Sequence, residues 1–257
     1  VTHADGLTRT IERYYDAAPR SDADAEPVGP FTLFVGRGGW AYYARPRLGL
    51  RDEVRRGDVR ALLARQRELD VPAEIEWQPA VTPSLADAAR GAGMVVHEFR
   101  VLVHAGPAAG LPADVRLVDP ADDIEAVLSA QQQGFGGLAE VEAAAVRTLR
   151  TRMAAGLTRV AVGFAHGCPV CVGMHSPVGN VTEVVGVSTL SSARRQGWAG
   201  RVTTALLADA YAHGVETVFL SAADDAVARV YRRVGFADAG GVCAAELPPG
   251  SAGIANR

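Results

Sequence analysis

The sequence predicts an α/β (α+β) protein of two halves, each a mixed twisted sheet flanked by helices. Three observations predict it. Short apolar strand patterns alternate with helical patterns along the chain. An Ala/Gly/Pro-rich stretch at residues 105–113 interrupts the series and reads as a linker. The segment EIEWQPAVTPSLADAARGAGMVVHEFRVLV also runs without gaps against ETVFLSAADDAVARVYRRVGFADAGGVCAA, with Gly93-Met94 under Gly235-Phe236. Both segments read as strand, loop, short helix, glycine and long strand, although two unrelated units can match this way. The domains are expected at residues 1–110 and 111–257.

In the first half, Leu7, Ile11, Tyr14 and Tyr15 share a face of a helix over 7–17. Residues 19–30 are polar and read as a surface loop. Phe31–Val35 is a strand, GRGG at 36–39 a turn, and Trp40–Arg45 the returning strand. Asp58 is the expected N-cap of a helix carrying Val59, Leu62, Leu63 and Leu69. Glu74–Gln78 is a strand, Ser84–Arg90 a short helix, and Met94–His104 a long apolar strand expected to be packed away from water.

In the second half, Val115–Val118 is a strand, followed by helices over 122–132 and 141–154. Arg159–Ala165 and Pro169–His175 form a hairpin. Thr182–Leu190 is a strand, Trp198–Ala212 a helix and Thr217–Ala222 a strand. Asp225–Arg233 is a helix and Ala237–Glu246 the last strand.

Composition removes several function classes. Hydrophobic residues make up 48% of the 257, enough for a packed core, while aromatics are only 6%. The formal net charge of -3 gives no support for nucleic-acid binding. Every basic side chain is Arg, which excludes a Schiff-base lysine and a P-loop lysine. No apolar run approaches the ~18 residues of a membrane span. The opening VTHADGLTRTIERYYD is expected to be a polar helix and not a signal peptide. Three cysteines do not make a disulfide framework, so a reduced, cytoplasmic protein is expected, monomeric or homodimeric.

The most informative segment is VVGVSTLSSARRQGWAGRVTTALLADA. An apolar strand ends at Leu190, Arg194-Arg195-Gln196-Gly197-Trp198-Ala199 fits Q/R-x-x-G-x-G/A, and an amphipathic helix follows. Backbone N–H groups of the loop and first helical turn lack intrahelical partners and converge where the helix dipole favours an anion. Gly197 and Ala199 keep that point clear of side chains, and Arg194 and Arg195 add charge. The plainer alternative is an ordinary loop with solvated arginines. The downstream VFLSAADDAVARVYRRVGF, with Tyr231 four residues before Gly235-Phe236, favours the phosphate reading.

Together these segments resemble the GNAT superfamily of acyl-CoA N-acyltransferases over about residues 114–247. The resemblance implies that the loop binds the coenzyme A pyrophosphate and that two central parallel strands splay to admit the pantetheine arm. It implies cofactor contacts from Val187, Thr189, Arg194, Arg195, Gln196, Gly197, Trp198, Ala199 and Gly200. Tyr231 would lie near the thioester sulfur. Asp224 stands where the family often has Asn, and Trp198 replaces a smaller apolar residue. The first half resembles the degenerate partner of actinobacterial tandem GNAT proteins, having Ala89 opposite Tyr231 and no counterpart of RRQGWAG.

The expected reaction is N-acetyl transfer from acetyl-CoA to a small-molecule amine, with no metal. The alternative is an acyl-CoA-binding protein without transferase activity. Glu183, on the strand leading into the loop and read as sharing a face with Val185 and Val187, is the candidate base or else a solvated carboxylate. Tyr231 is the candidate acid or else a core aromatic. His166, Cys168, Cys171 and His175 have zinc-like spacing, but the intervening turn and strand alternation weigh against a shared site. Cys168 and Cys171 lack the following helix that would make them a redox pair.

Overall fold

The computed structural model describes residues 3–38, 42–104, 106 and 110–248. The chain divides into two compact units, residues 1–101 with 239–257, and residues 102–238. The expected boundary at 110/111 differs from this division, in which most of the last strand returns to the first unit. Among the described residues no helix is long and apolar enough to cross a membrane.

The first unit opens with α1 (His3–Ala17), whose Ile11, Tyr14 and Tyr15 are buried as the helical spacing requires. The expected loop at 19–30 instead contains β1 (Ala23–Val28), paired antiparallel with β2 (Phe31–Gly36). Its sequence, ADAEPV, buries only Ala23, so it carries no apolar alternation to betray it. The returning strand is reduced to β3 (Arg45–Pro46), and Trp40 lies outside the described residues. Helix α2 (Arg56–Glu68) begins two residues before the expected cap, and Asp58 reaches back to accept the Arg55 N–H at 2.8 Å. Then follow β4 (Glu74–Trp77), α3 (Leu85–Gly91) and β5 (Val95–His104). Of β5 only Val101, Leu102 and His104 are buried, so its first half is not the shielded apolar strand expected.

The second unit carries β6 (Val115–Leu117), α4 (Ile124–Gly134), α5 (Ala143–Ala154), β7 (Arg159–Ala165), β8 (Cys168–Val178) and β9 (Val181–Thr189). After these come α6 (Trp198–Ala212), β10 (Thr217–Ala222), α7 (Asp225–Arg232) and β11 (Phe236–Glu246), the last strand passing into the first unit. The sheet order is β10-β9-β8-β7-β6, parallel at β10/β9 and antiparallel elsewhere. Each face of this sheet has its own core. Ile124, Val127, Leu149 and Met153 of α4 and α5 meet Val160, Val162, Val172 and Met174. On the other face, Val202, Ala205 and Leu206 of α6 meet Ala161, Cys171 and Val184.

The two segments matched in sequence have the same element order, β4-α3-β5 and β10-α7-β11. Their aligned glycines also share a backbone state, Gly93 at φ +94° and Gly235 at φ +101°. Each sits in the left-handed region between a short helix and a long strand, where a side chain is disfavoured.

Candidate active site

Strands β9 and β10 pair in parallel at Val181–Thr217, Thr182–Val218 and Glu183–Phe219, and no further. Beyond Glu183 no further pair joins the two strands among the described residues. On its other edge β9 stays paired with β8, but with an irregularity: Val172 faces Ser188 and Met174 faces Val185. Three steps on β9 match two on β8, so β9 holds one extra residue, a bulge at Gly186 with φ +62°.

The bulge resets which way the side chains point. Val185 packs in the α4/α5 core, whereas Val187 packs in the α6 core. The alternation that puts Glu183 with Val185 therefore puts Val187 on the opposite face, correcting the reading of all three on one face. Helix α4 is fastened to this irregular strand. Gln131 donates from Nε2 to the Gly186 carbonyl at 2.8 Å, and Ser188 Oγ donates to the Gln131 carbonyl at 3.0 Å. Gly134 permits that approach: a Cβ there would lie 2.6 Å from Ser188 Oγ and 3.1 Å from the Thr189 nitrogen.

The loop after β9 passes through a short 3-10 turn, Ser191–Ala193, to α6. Gly197 is the helix N-cap at φ +82°, and a Cβ on it would meet nothing within 4 Å. The first intrahelical bond of the loop, Arg201 N–H to the Gly197 carbonyl at 3.1 Å, leaves the N–H groups of Trp198, Ala199 and Gly200 ahead of it. These donors and the positive end of a helix of 15 residues face an open cleft of about 540 Å³.

The cleft is lined by Val187 and Thr189 of β9, by Arg194, Arg195, Gly197, Trp198, Ala199 and Gly200, and by Tyr231. The structure thus brings together most of the residues singled out in the sequence. Gln196 is not among the lining residues and donates to the Ser192 carbonyl at 3.3 Å. Asp224 is also absent from the lining; its carboxylate caps α7 by accepting the Val227 N–H at 2.8 Å. Arg194 lines the cleft, but its guanidinium donates to the carbonyls of Gly134 at 2.9 Å and Thr189 at 3.3 Å, so it braces the loop. Glu183, at the last paired position, is not among the lining residues. The bulk of Trp198 is accommodated by Gly163 on β7, where a Cβ would lie 2.7 Å from the indole.

Tyr231 is buried on α7, its ring 6.0 Å from that of Phe236. Burial, with the neighbouring Cys171 adding to it, pushes its phenol up to about 12. Burial likewise pushes the Cys171 thiol up to about 11, while Thr189 Oγ1 donates to its sulfur at 3.2 Å. Both groups are neutral at physiological pH. Sequence reasoning missed Gly134, Phe135, Ser188, Ala193, Val227, Val230 and Arg233, which complete the lining. Val227 and Val230 could have been found from their spacing with Tyr231 on one short helix, whereas Gly134 carries no local signal.

The zinc-like quartet is dispersed. His166, at φ +51°, and Gly167 make the β7–β8 turn, and Cys168 is exposed. His175 is buried, with Nδ1 3.0 Å from Thr182 Oγ1 and Nε2 2.9 Å from Asp209 Oδ2. Among the described residues no three His, Cys, Asp or Glu side chains gather as metal ligands.

Residues 130–236 match the acetyltransferase (GNAT) family. The matched residues lie within the second unit. The match spans the bulged strand, the loop, both cleft helices and Tyr231. Members of this family use acetyl-CoA, and the residues here fit an anionic nucleotide ligand: unpaired helix N–H groups, an open position at Gly197 and arginines on the cleft wall. The fold is shared with a GCN5-related N-acetyltransferase from Kribbella flavida, at 20% identity and a TM-score of 0.71 over 96% of this chain and 97% of that one. It is shared also with a GNAT-family acetyltransferase from Novosphingobium aromaticivorans, at 16% identity and a TM-score of 0.62 over 95% and 97%. A tandem GNAT protein from the clavulanic acid biosynthesis pathway aligns at 21% identity and a TM-score of 0.50 over 86% and 79%. No curated protein sequence matches the chain.

Proposed function

We propose that this protein is an acetyl-CoA-dependent N-acetyltransferase acting on a small-molecule amine by direct attack on the thioester. The observation that carries the reading is the cleft that Val187 and Thr189 of β9 share with the first turn of α6, past the point where β9–β10 pairing ends at Glu183. It sets Val187 and Thr189 beside a space that a pantetheine arm would fill, with its diphosphate at Gly197–Gly200. The cofactor supplies the acetyl group as a thioester, and the protein's own groups handle the protons. Alternation with Val184 puts Glu183 on the α4/α5 face, outside the cleft lining, whereas Tyr231 packs with the α6 core and lines the cleft. Glu183 accepts the proton of the attacking amine, directly or through water, and Tyr231 hands its proton to the departing sulfur. A phenol near 12 remains protonated at neutral pH and so keeps the proton it must give. The first half serves as a degenerate GNAT-like partner, and we place the protein in the cytoplasm.

One observation favours a second reading, acyl-CoA binding without transfer: among the described residues no Asp, Glu or His lines the cleft itself. A panel of amines with acetyl-CoA and thiol detection separates the two. With an accepted amine, Glu183→Gln is expected to lower kcat by roughly a hundredfold or more while coenzyme A affinity holds. Tight coenzyme A binding without thiol release from any amine would establish the second reading.

A further inference from the structure

We propose that His104 is a positioning residue for Tyr231: it clamps the turn that follows α7 and so fixes the direction of the phenol in the cleft. The inference rests on the reading of Tyr231 as the acid of the transfer. His104 is the last residue of β5, and it lies outside the cleft lining. It is buried, with His104, Tyr211, Tyr231 and Phe236 all in the second unit. A buried imidazole needs partners for both ring nitrogens. Nδ1 stands 2.7 Å from the Tyr211 hydroxyl of α6, and Val234 contributes a backbone hydrogen bond to the ring. The Val234 bond favours the charged ring, which identifies its carbonyl as the acceptor. Nε2 is then the donor, and the Tyr211 hydroxyl donates to Nδ1 of a neutral imidazole. Burial, which holds His104 below the usual histidine range, agrees with a neutral ring.

The ring also lies against the turn itself. A Cβ on Gly235 would be 2.9 Å from Nε2, so the imidazole fills the space a side chain would take there. Two paths lead from this turn to Tyr231. The Val234 N–H donates to the Tyr231 carbonyl at 2.9 Å, which joins the residue held by His104 to the residue that carries the phenol. Phe236 meets both rings edge-on, its centroid 5.2 Å from that of His104 and 6.0 Å from that of Tyr231. Helix α7 has only eight residues, and Tyr231 is next to its last. So short a helix is marginal by itself, and its end needs an anchor from packing. Because Tyr211 belongs to α6, the clamp ties the end of α7 to the helix whose first turn lines the cleft. A proton donor has to stay within hydrogen-bond reach of the departing sulfur, and a misplacement of about 1 Å can cost on the order of a hundredfold in rate.

The test is a double-mutant cycle on the full chain: His104→Ala, Tyr231→Phe and the two combined, read as kcat with an accepted amine and as coenzyme A affinity. His104→Ala is expected to lower kcat about tenfold or more and to leave coenzyme A affinity unchanged. Tyr211→Phe, which removes one oxygen and leaves Nδ1 unpaired, should lower kcat by a smaller factor. His104→Gln, with a donor and an acceptor on one amide, should recover part of what His104→Ala loses. In Tyr231→Phe there is no phenolic proton to aim, so His104→Ala should cost nothing more. The same loss in both backgrounds would overturn the inference, as the mark of a structural role alone, and leave the proposed transfer standing. Unchanged kcat in His104→Ala would do the same. If His104→Ala does not fold, the cycle is run with Tyr211→Phe in its place and decided by the same comparison. Full activity in Tyr231→Phe would remove the acid and this inference with it. Absence of thiol release from any amine would overturn both the inference and the transfer reading.

Discussion

Replacing Gly197 tests the cleft at its narrowest assumption, that the N-terminus of α6 meets a ligand through bare backbone. The position has two separable properties. Its φ of +82° is costly for any L side chain, and a Cβ placed on it meets no atom within 4 Å. Gly197→Ala therefore adds the conformational cost with little bulk, about 1–2 kcal/mol. In a domain of this size that corresponds to a fall of very roughly 2–8 °C in Tm. Gly197→Val adds two methyl groups, and because nothing in the protein occupies that space, they project toward where the diphosphate is expected. The apo proteins should thus be destabilised with the fold retained, valine more than alanine for its branched Cβ. Coenzyme A affinity should fall steeply only where bulk blocks the N–H groups. Losing one charge-assisted hydrogen bond to the diphosphate corresponds to about 1.5–3 kcal/mol, or roughly 10- to 150-fold in Kd. The assay pairs thermal melting of the apo variants with calorimetric titration of coenzyme A. A Gly197→Val protein with wild-type affinity would refute the reasoning and reduce the loop to an ordinary helix start.

Other consequences are open to measurement. Gly134→Ala would set a Cβ 2.6 Å from Ser188 Oγ and 2.9 Å from its Cβ, so α4 must lift from β9. We expect a loss of about 1–3 kcal/mol in urea unfolding together with weakened coenzyme A binding, and a neutral result would contradict the close packing described. The Asp209 carboxylate, buried on α6, is pushed up by desolvation but held at about 2 by hydrogen bonds from His175 and Arg159, which outweigh it. Its folded value lies below the ordinary 3.8, so its contribution of about 2 kcal/mol is present above pH ~4 and lost as pH falls toward 2. Urea midpoints of wild type should drop across that window, and those of Asp209→Asn should lack that part of the drop; parallel acid profiles would count against it. A fragment of residues 111–257 should be insoluble, because it strips β4 from Cys243–Glu246 and exposes Cys243 and Ala245, buried in the core of the first unit. A soluble, monomeric fragment with full coenzyme A affinity would show that β11 does not need that partner.

Legibility of this fold follows from how local each signal is. The strand–loop–helix from Val181 to Ala212 was readable because an apolar run, a glycine at the turn and an amphipathic helix are consecutive in sequence. The hairpin strand β1 was not, since ADAEPV is held by pairing to β2 and buries almost nothing. A strand stabilised from outside need not look like one.

The cleft shows the same division within a few residues. Gly197 announces itself by its place before a helix. Gly134 is required only because Ser188 and Thr189, more than fifty residues onward, come against it, and no window along the chain contains that fact. The bulge at Gly186 matters most. Strict alternation from Glu183 would send Val185 and Val187 to one face, yet one inserted residue puts Val187 with α6 and leaves Glu183 with α4 and α5. A glycine inside a strand is a cue for such an insertion, but GVST otherwise reads as ordinary strand. The consequence is chemical as well as geometric. Had the alternation continued, Val187 would lie on the Glu183 side of the sheet; with the bulge it lies on the α6 side, where Tyr231 and the first turn of α6 line the same cleft.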